Sequence, residues 1–535
     1  MITKNLLLKQ PHNLFIWRQI HNKYSSSVVN VKHEASSSDS TEILQREWDQ
    51  ARPYKSLPGP TKFEMFRGFM KGGDFHGKPF DQVIRMCRQR YGDIYLLPGL
   101  FGMSTNLVTF NLEDHEKVFR TEGPNPLRPG MEAVEFYRLS RKNSIYSEDY
   151  LGVAGNGKQW SKFRHMVNPI LMQPRSMPLY IDPMQKVNAK FIQRIHELRD
   201  PVSFEVPSNF LTQINCLSLE SLAHIALDKE MGLLSDNSQV PEAREMFKHL
   251  FSFGDSFYDL GVQPTIYKYV KTPAYKRFER AMDVVYEICT KYVMETVQRL
   301  ERNDFSGEDK SILEKLLKID RKMAIITAID LLMGGVEITS TVLAAVFLCI
   351  SKNPEKQDKL RQEILSNIGK TQPFTLENMK NLPYLRACIK EALRIYPVMF
   401  GNIRITGRDL SLSGYQIPKG TNAFMASNML LHDDRYFPRP LEYIPERWLR
   451  STDGQMDELC VKNNSPFIFL PFGFGPRSCL GKRIVDMEME MTLANVVRNF
   501  KMEYNYSTDN AFRTYFMNTC IIPLNFKFTD LEGFE

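Results

Sequence analysis

No C-x-x-C pair occurs in this chain. Its eight cysteines, at positions 87, 216, 289, 349, 388, 460, 479 and 520, stand far apart. That spacing excludes a disulfide framework and a zinc site of the usual kind, and it points to a reducing compartment. Acidic residues are missing from the first 33 positions, where Lys4, Lys9, Arg18, Lys23 and Lys32 precede Glu34. Long apolar runs are missing there as well: Leu6-Leu7-Leu8 falls far short of the ~20 residues a membrane span needs. A basic leader with Leu7, Leu8, Phe15, Ile16 and Ile20 at roughly helical spacing reads as a mitochondrial import sequence over residues 1–35. Setting its five bases aside leaves 64 basic against 62 acidic side chains, so bulk charge gives nucleic acid little to hold. The interior carries no low-complexity linker. Although 535 residues could hold about three domains, one large α-rich unit over 53–535 is expected, after a polar linker over 36–52.

Against that background one stretch stands out: Pro471-Phe472-Gly473-Phe474-Gly475-Pro476-Arg477-Ser478-Cys479-Leu480-Gly481. Close glycines and a proline make a tight, rigid loop. The helical pattern Ile484, Met487, Met491, Leu493, Val496, Val497 follows. Cys479 is thereby placed at a helix N-terminus, where N–H groups and the dipole favour a thiolate. Most lone cysteines are buried and inert. A haem iron can instead be held by one, whose sulfur donates electron density that favours O–O cleavage.

Upstream, Trp160 and Arg164 lie four apart on one predicted helix face and could hold a carboxylate; a surface Arg beside a core Trp is the competing reading. Short strands are expected at Ile94–Pro98 and Leu107–Phe110, strands and turns over Gly401–Met425, and strand-like segments at the end of the chain. Phe251 to Arg277 mixes aromatics with Lys268, Lys271, Lys276 and Arg277, which suits either a monotopic membrane contact or a solvated loop over core aromatics. Lys322 to Ser351 is a long apolar helix that contains Gly334-Gly335 and the polar Glu337 and Thr339. Adjacent glycines admit a ligand, a kink or a close helix crossing. Glu391 and Arg394 stand at i, i+3 on another helix, and Pro445-Glu446-Arg447-Trp448 follows.

From about residue 53 onward the order W-x-x-x-R, G-G helix, E-x-x-R, P-E-R-W and cysteine loop resembles cytochrome P-450. Glu47-Trp48, Arg67-Gly68-Phe69, Tyr91-Gly92-Asp93-Ile94, Arg128-Pro129-Gly130 and Val167 to Pro174 look like the insect mitochondrial family 12 group. The resemblance implies a single large domain, mainly α with small β-sheets, that binds heme b (iron protoporphyrin IX) and oxidises a small lipophilic substrate with O2, in the metabolism of foreign compounds or hormones. By position it makes Cys479 the axial thiolate ligand and Trp160, Arg164, Arg404 and Arg477 propionate partners. Glu391, Arg394 and Arg447 match a buried structural triad. Arg386 and Lys390, with Lys482 and Arg483, match bases that dock an acidic adrenodoxin-like [2Fe–2S] ferredoxin, itself served by an NADPH-dependent reductase. Localisation would be peripheral, on the matrix side of the mitochondrial inner membrane. Pocket positions would include 125–150 and 332–339.

One departure matters. The family pattern at the oxygen site is A/G-G-x-D/E-T-T, and this chain reads Gly334-Gly335-Val336-Glu337-Ile338-Thr339. Glu337 retains the acid, but Ile338 replaces the first threonine. Successive helical residues point about 100° apart, so Thr339 can stand in only if the glycines distort the helix. An oxygen-independent haem-thiolate isomerase, or a non-catalytic haem or lipid carrier, are the alternatives this leaves open.

Overall fold

The computed structural model describes residues 37–100, 103–141, 144–235, 240–261, 265–302, 311–449, 461, 465–514 and 517–531. The expected import sequence lies outside the described residues. Residues up to Ala51 form a unit of their own, whose described part is helix α1, Ser37–Gln50. The stretch expected as a linker is thus helical. Glu42 to Glu47 are mostly good helix formers, and Arg46 pairs with Glu42 one turn away at 3.7 Å.

The second unit begins at Arg52. Its helices are α2 Lys62–Phe69, α3 Phe80–Tyr91, α4 Leu112–Thr121, α5 Glu132–Ser140, α6 Gly157–Leu171, α7 Pro178–Leu198 and α8 Leu211–Leu227. They continue with α9 Pro241–Gly261, α10 Pro273–Arg302, α11 Ile312–Leu317, α12 Arg321–Ser351 and α13 Pro354–Asn367. Last come α14 Leu376–Met379, α15 Pro383–Ile395 and α16 Lys482–Asn499. The strands are short: β1 Ile94–Leu97, β2 Asn106–Thr109, β3 Asn402–Ile405, β4 Leu410–Leu412, β5 Tyr415–Ile417, β6 Asn422–Met425, β7 Phe500–Glu503, β8 Phe512–Thr514, β9 Asn518–Cys520 and β10 Lys527–Asp530. With 57% helix and small sheets, the expected fold class holds.

The largest sheet runs β1-β2-β6-β3, with β2 parallel to β6 and the other pairs antiparallel. It brings Arg404 on β3 beside the chain from Thr121 to Leu127, since Ile405 bridges Leu127. Local chemistry sets several helix starts. Thr61 and Glu64 form a capping box before α2, and Asp320 caps α12 by accepting the Met323 N–H at 2.8 Å.

Helix α12 organises the unit. It packs against α8 most extensively and also against α9, α10, α15 and α16. Its length and apolarity would suit a membrane span, but most of its side chains are buried in the protein core. The glycines settle into different uses. A Cβ on Gly335 would overlap Leu222 of α8, so this glycine allows the close crossing. A Cβ on Gly334 would meet nothing within 4 Å. Gly334 is exposed and borders open space.

Candidate functional site

The cysteine loop runs directly into the start of α16. Gly473 and Gly475 have φ of 71° and 69°, a left-handed region where an L side chain is strained, and a Cβ on Gly475 would also overlap the Glu122 carboxylate. The Cys479 N–H donates to Phe472 O at 2.8 Å, which closes the loop. Six of the seven described cysteines are buried; Cys479 alone is partly open. Burial raises its thiol above the ordinary value, while the Gly481 N–H and the charges of Arg164 and Arg128 favour the thiolate.

Four arginines gather around this loop. Arg477 lies 3.9 Å above the Trp160 ring centre and donates to Gly155 O and Asn156 Oδ1, both at 2.8 Å. Arg164 donates to Ser478 O at 3.0 Å, and its Nε finds no partner among the described residues. Arg404 pairs with Glu122 and donates to Phe474 O at 3.1 Å. The fourth is Arg128, from Arg128-Pro129-Gly130. Its proximity registers in the shift of Arg477, pushed down to about 8 by burial and then by Arg128, Arg404 and Arg164. Arg164 falls to about 10, chiefly by burial. Among the described residues Glu122 is the one carboxylate paired with this set, and Arg128, Arg164 and Arg477 have none. Four cations against one anion in a buried place require further negative charge, and two carboxylates beside a cysteine thiolate would supply it.

In the middle of α12 Gly334 is exposed and Met333, Gly335, Glu337 and Ile338 are partly exposed, while Val336, Thr339 and Ser340 are buried. The helix is unbroken through the glycine pair. No break in the helix turns Thr339 toward the open arc, and Thr339 is buried with its hydroxyl unpartnered among the described residues. Ser340 spends its hydroxyl on Val336 O at 2.5 Å. Glu337 rests against Gly254 of α9, where a Cβ would overlap its carboxylate. Burial, and secondarily the charge of Asp255, pushes its carboxyl up to about 7. Neither Gly254 nor Asp255 carried a sequence signal, because their meaning comes only from packing on α12.

The predicted triad is assembled. Arg394 Nε and Nη2 donate to Glu391 at 3.0 and 2.9 Å, and Arg447 Nε donates to Glu391 at 3.1 Å. Trp448 Nε1, not foreseen, donates to the same carboxylate at 2.9 Å. Of the four predicted docking bases, Lys390 is exposed on α15, and Lys482 and Arg483 are half-buried at the start of α16. Partial desolvation of its ammonium, and then the charge of Lys482, lower Lys390. Arg386 is 38% exposed, but its fork is engaged by Glu490 and by the carbonyls of Lys380 and Met379. Lys482 donates to Asp486 at 2.5 Å.

Residues 57–528 match the family model described as Cytochrome P450. Over 517 residues the chain is 50% identical to "Probable cytochrome P450 12c1, mitochondrial" of Drosophila melanogaster, covering 96% of this chain and 98% of the relative. It is 44% identical to "Probable cytochrome P450 12a5, mitochondrial" of the same fly, covering 91% and 93%. It is 41% identical to "Cytochrome P450 CYP12A2" of Musca domestica, covering 95% and 97%. In fold it is similar to the crystal structure of the cytochrome P450DA heme domain, with a TM-score of 0.70 at 15% identity over 90% of this chain and 98% of that one.

Proposed function

Since this chain belongs to the cytochrome P450 family, in its insect mitochondrial family 12 branch, and is a haem b monooxygenase, we propose that Cys479 supplies the iron's thiolate and that Arg128, Arg164, Arg404 and Arg477, with Trp160, hold the two propionates. The observation that carries this reading is the cationic cluster: three of its guanidinia have no carboxylate partner among the described residues, beside the one described cysteine that is not fully buried. Bound there, haem b supplies the reductive activation of dioxygen, one atom of which enters the substrate while the other leaves as water.

The chain's own part is to orient substrate, exclude water and move protons. With its carboxyl near 7, Glu337 can both hold and release a proton at a carboxyl oxygen at neutral pH. Ile338 beside it offers no proton. In Ile338→Thr, product formed per NADPH consumed should rise by at least about twofold, a small part of what a positioned proton donor can contribute. Hydrogen peroxide released should fall in step. If Ile338 only packs against substrate, affinity will change and this yield will not. Measuring product, peroxide and NADPH together separates the two.

Electrons are proposed to come from an acidic [2Fe–2S] ferredoxin with its NADPH-dependent reductase, docking on Lys390, Lys482 and Arg483. Arg386 is shared with Glu490, so its replacement would disturb α15 and α16 as well as the surface. Lys482 likewise pairs with Asp486, so the cleaner test is Lys390→Glu with Arg483→Glu. The ferredoxin concentration for half-maximal turnover should rise about tenfold at low salt and lose most of its salt dependence. An unchanged titration would remove both from the interface.

The two Drosophila melanogaster relatives are named mitochondrial. For this chain we propose residues 1–35 as the import sequence, to be checked by N-terminal sequencing of the mitochondrial protein. Peripheral attachment to the inner membrane would use exposed apolar residues such as Phe63 on α2 and Tyr269 between α9 and α10, 72% and 83% exposed. Proposed substrates are small and lipophilic, foreign compounds or hormones.

A further inference from the structure

A further buried ion pair involves α12, two turns before Glu337. Arg138 of α5 donates through Nη2 to Asp330 Oδ1 at 2.5 Å, and the two side chains are 1% and 3% exposed. Both partners also grip one strip of backbone. Arg138 Nη1 donates to Leu151 O at 2.6 Å, and Asp330 Oδ2 accepts the Val153 N–H at 2.8 Å. Between those two contacts sits Gly152 at φ 57°, where a Cβ would overlap the Asp330 carboxylate and lie 2.9 Å from Arg138 Nη1. The far end of the strip is held by the cationic cluster, since Arg477 donates to Gly155 O and Asn156 Oδ1. On another side of α5, Tyr137 donates to Asp283 of α10 at 2.6 Å, and Arg141 pairs with the same carboxylate.

The surroundings are apolar. Val134, Tyr146, Ala154, Phe257, Phe278 and Ile326 belong to a buried cluster separate from the main core, and Met333 packs at its edge. Met333 is also where the open arc of α12 begins. An ion pair in such a place gains little net stability, because desolvation offsets most of the attraction, and apolar residues of similar volume would serve as well. What the charges supply is a single arrangement: if α5 slides or turns on α12, one buried charge loses its partner.

We propose that the Arg138–Asp330 pair is a positioning lock that holds α5 and the strip Leu151–Ala154 in one register on α12, and so sets the shape of the pocket wall and which substrates it admits. The lock needs the haem pocket but neither the ferredoxin nor the proton route.

The test uses the full-length haem-loaded protein and the variant Arg138→Met/Asp330→Leu, which removes both charges and puts apolar side chains in their place. Two azole probes with the same iron-binding head are titrated, imidazole and 1-dodecylimidazole. Imidazole should bind within about twofold of the parent, while the Kd of 1-dodecylimidazole, whose tail must lie along the wall, should change at least about fivefold. Amide hydrogen exchange over 144–156 should accelerate at least about tenfold. Equal shifts for both azoles with unchanged exchange would reduce the pair to a structural contact and overturn the proposal. Should the double variant fail to take up haem, Asp330→Asn, which keeps the shape and an oxygen facing the Val153 N–H, is put through the same titrations. The unaltered protein gives an independent check: its Val153 amide should exchange as slowly as the amides of α12, and fast exchange there overturns the lock without any variant.

Discussion

Cys479→Ala protein, reduced and exposed to carbon monoxide, will lack the red-shifted band of a haem thiolate, and its turnover will fall to the background of haem-free protein. The other described cysteines cannot take over. Burial pushes the thiols of Cys87 and Cys520 up to about 11 and that of Cys216 up to about 12, and raises Cys289, Cys349 and Cys388 further. None of these would be a thiolate at neutral pH without large rearrangement. Cys479 is also raised by burial, yet it alone has Arg164, Arg128 and the Gly481 N–H to favour the anion. Cys479→His keeps a donor atom but offers a neutral nitrogen, so carbon monoxide should give a band at shorter wavelength. Cys460→Ala is the control and should keep the thiolate band. Retention of that band in Cys479→Ala would disprove the assignment.

What the sequence alone makes legible is what is local in the chain. The loop from Pro471 to Gly481 announces itself because its glycines and proline act on their immediate neighbours, and the observed left-handed Gly473 and Gly475 are that local chemistry. Strand expectations at Ile94–Pro98 and Leu107–Phe110 correspond to β1 and β2 within a residue or so, since alternation is also local. The i, i+3 spacing of Glu391 and Arg394 is one helical turn, so their pairing follows from α15 alone. Other features needed the tertiary fold. Arg128 and Glu122 become site residues only when the chain folds back some 350 positions to meet Arg477 and Gly475. Asp330 finds Arg138 across 192 residues, and no periodicity encodes that. Thr339 illustrates the opposite limit. A tandem glycine permits a kink without requiring one, and here Gly335 serves the crossing with Leu222 while the helix stays continuous.

Glu391→Gln is expected to destabilise the protein by ~3–5 kcal/mol, the cost of leaving buried charge without its partner. Glu391, Arg394 and Arg447 are each 0% exposed along their side chains. All five guanidinium donors of Arg394 are used: two on Glu391 and the rest on the carbonyls of Leu431, Pro440 and Glu442. Glu391 in turn accepts from Arg394, Arg447, the Ile444 N–H and Trp448. A glutamine keeps the shape but presents an NH2 to groups that can only donate, and two guanidinia are then buried without a counter-charge. Since a folded protein is typically stable by only about 5–15 kcal/mol, this loss is a large fraction of the whole. The triad ties α15 to the chain from Leu431 to Trp448, so the variant should lose haem uptake together with stability. Denaturant titration of the haem-loaded protein, read by circular dichroism and by haem absorbance, measures both. Lys380→Gln gives the scale, because its pair with Glu377 is solvent-exposed and should be worth no more than about 0.5 kcal/mol. If Glu391→Gln costs no more than Lys380→Gln and retains its haem, the triad contributes no more than a surface pair, and burial has been compensated by contacts outside Glu391.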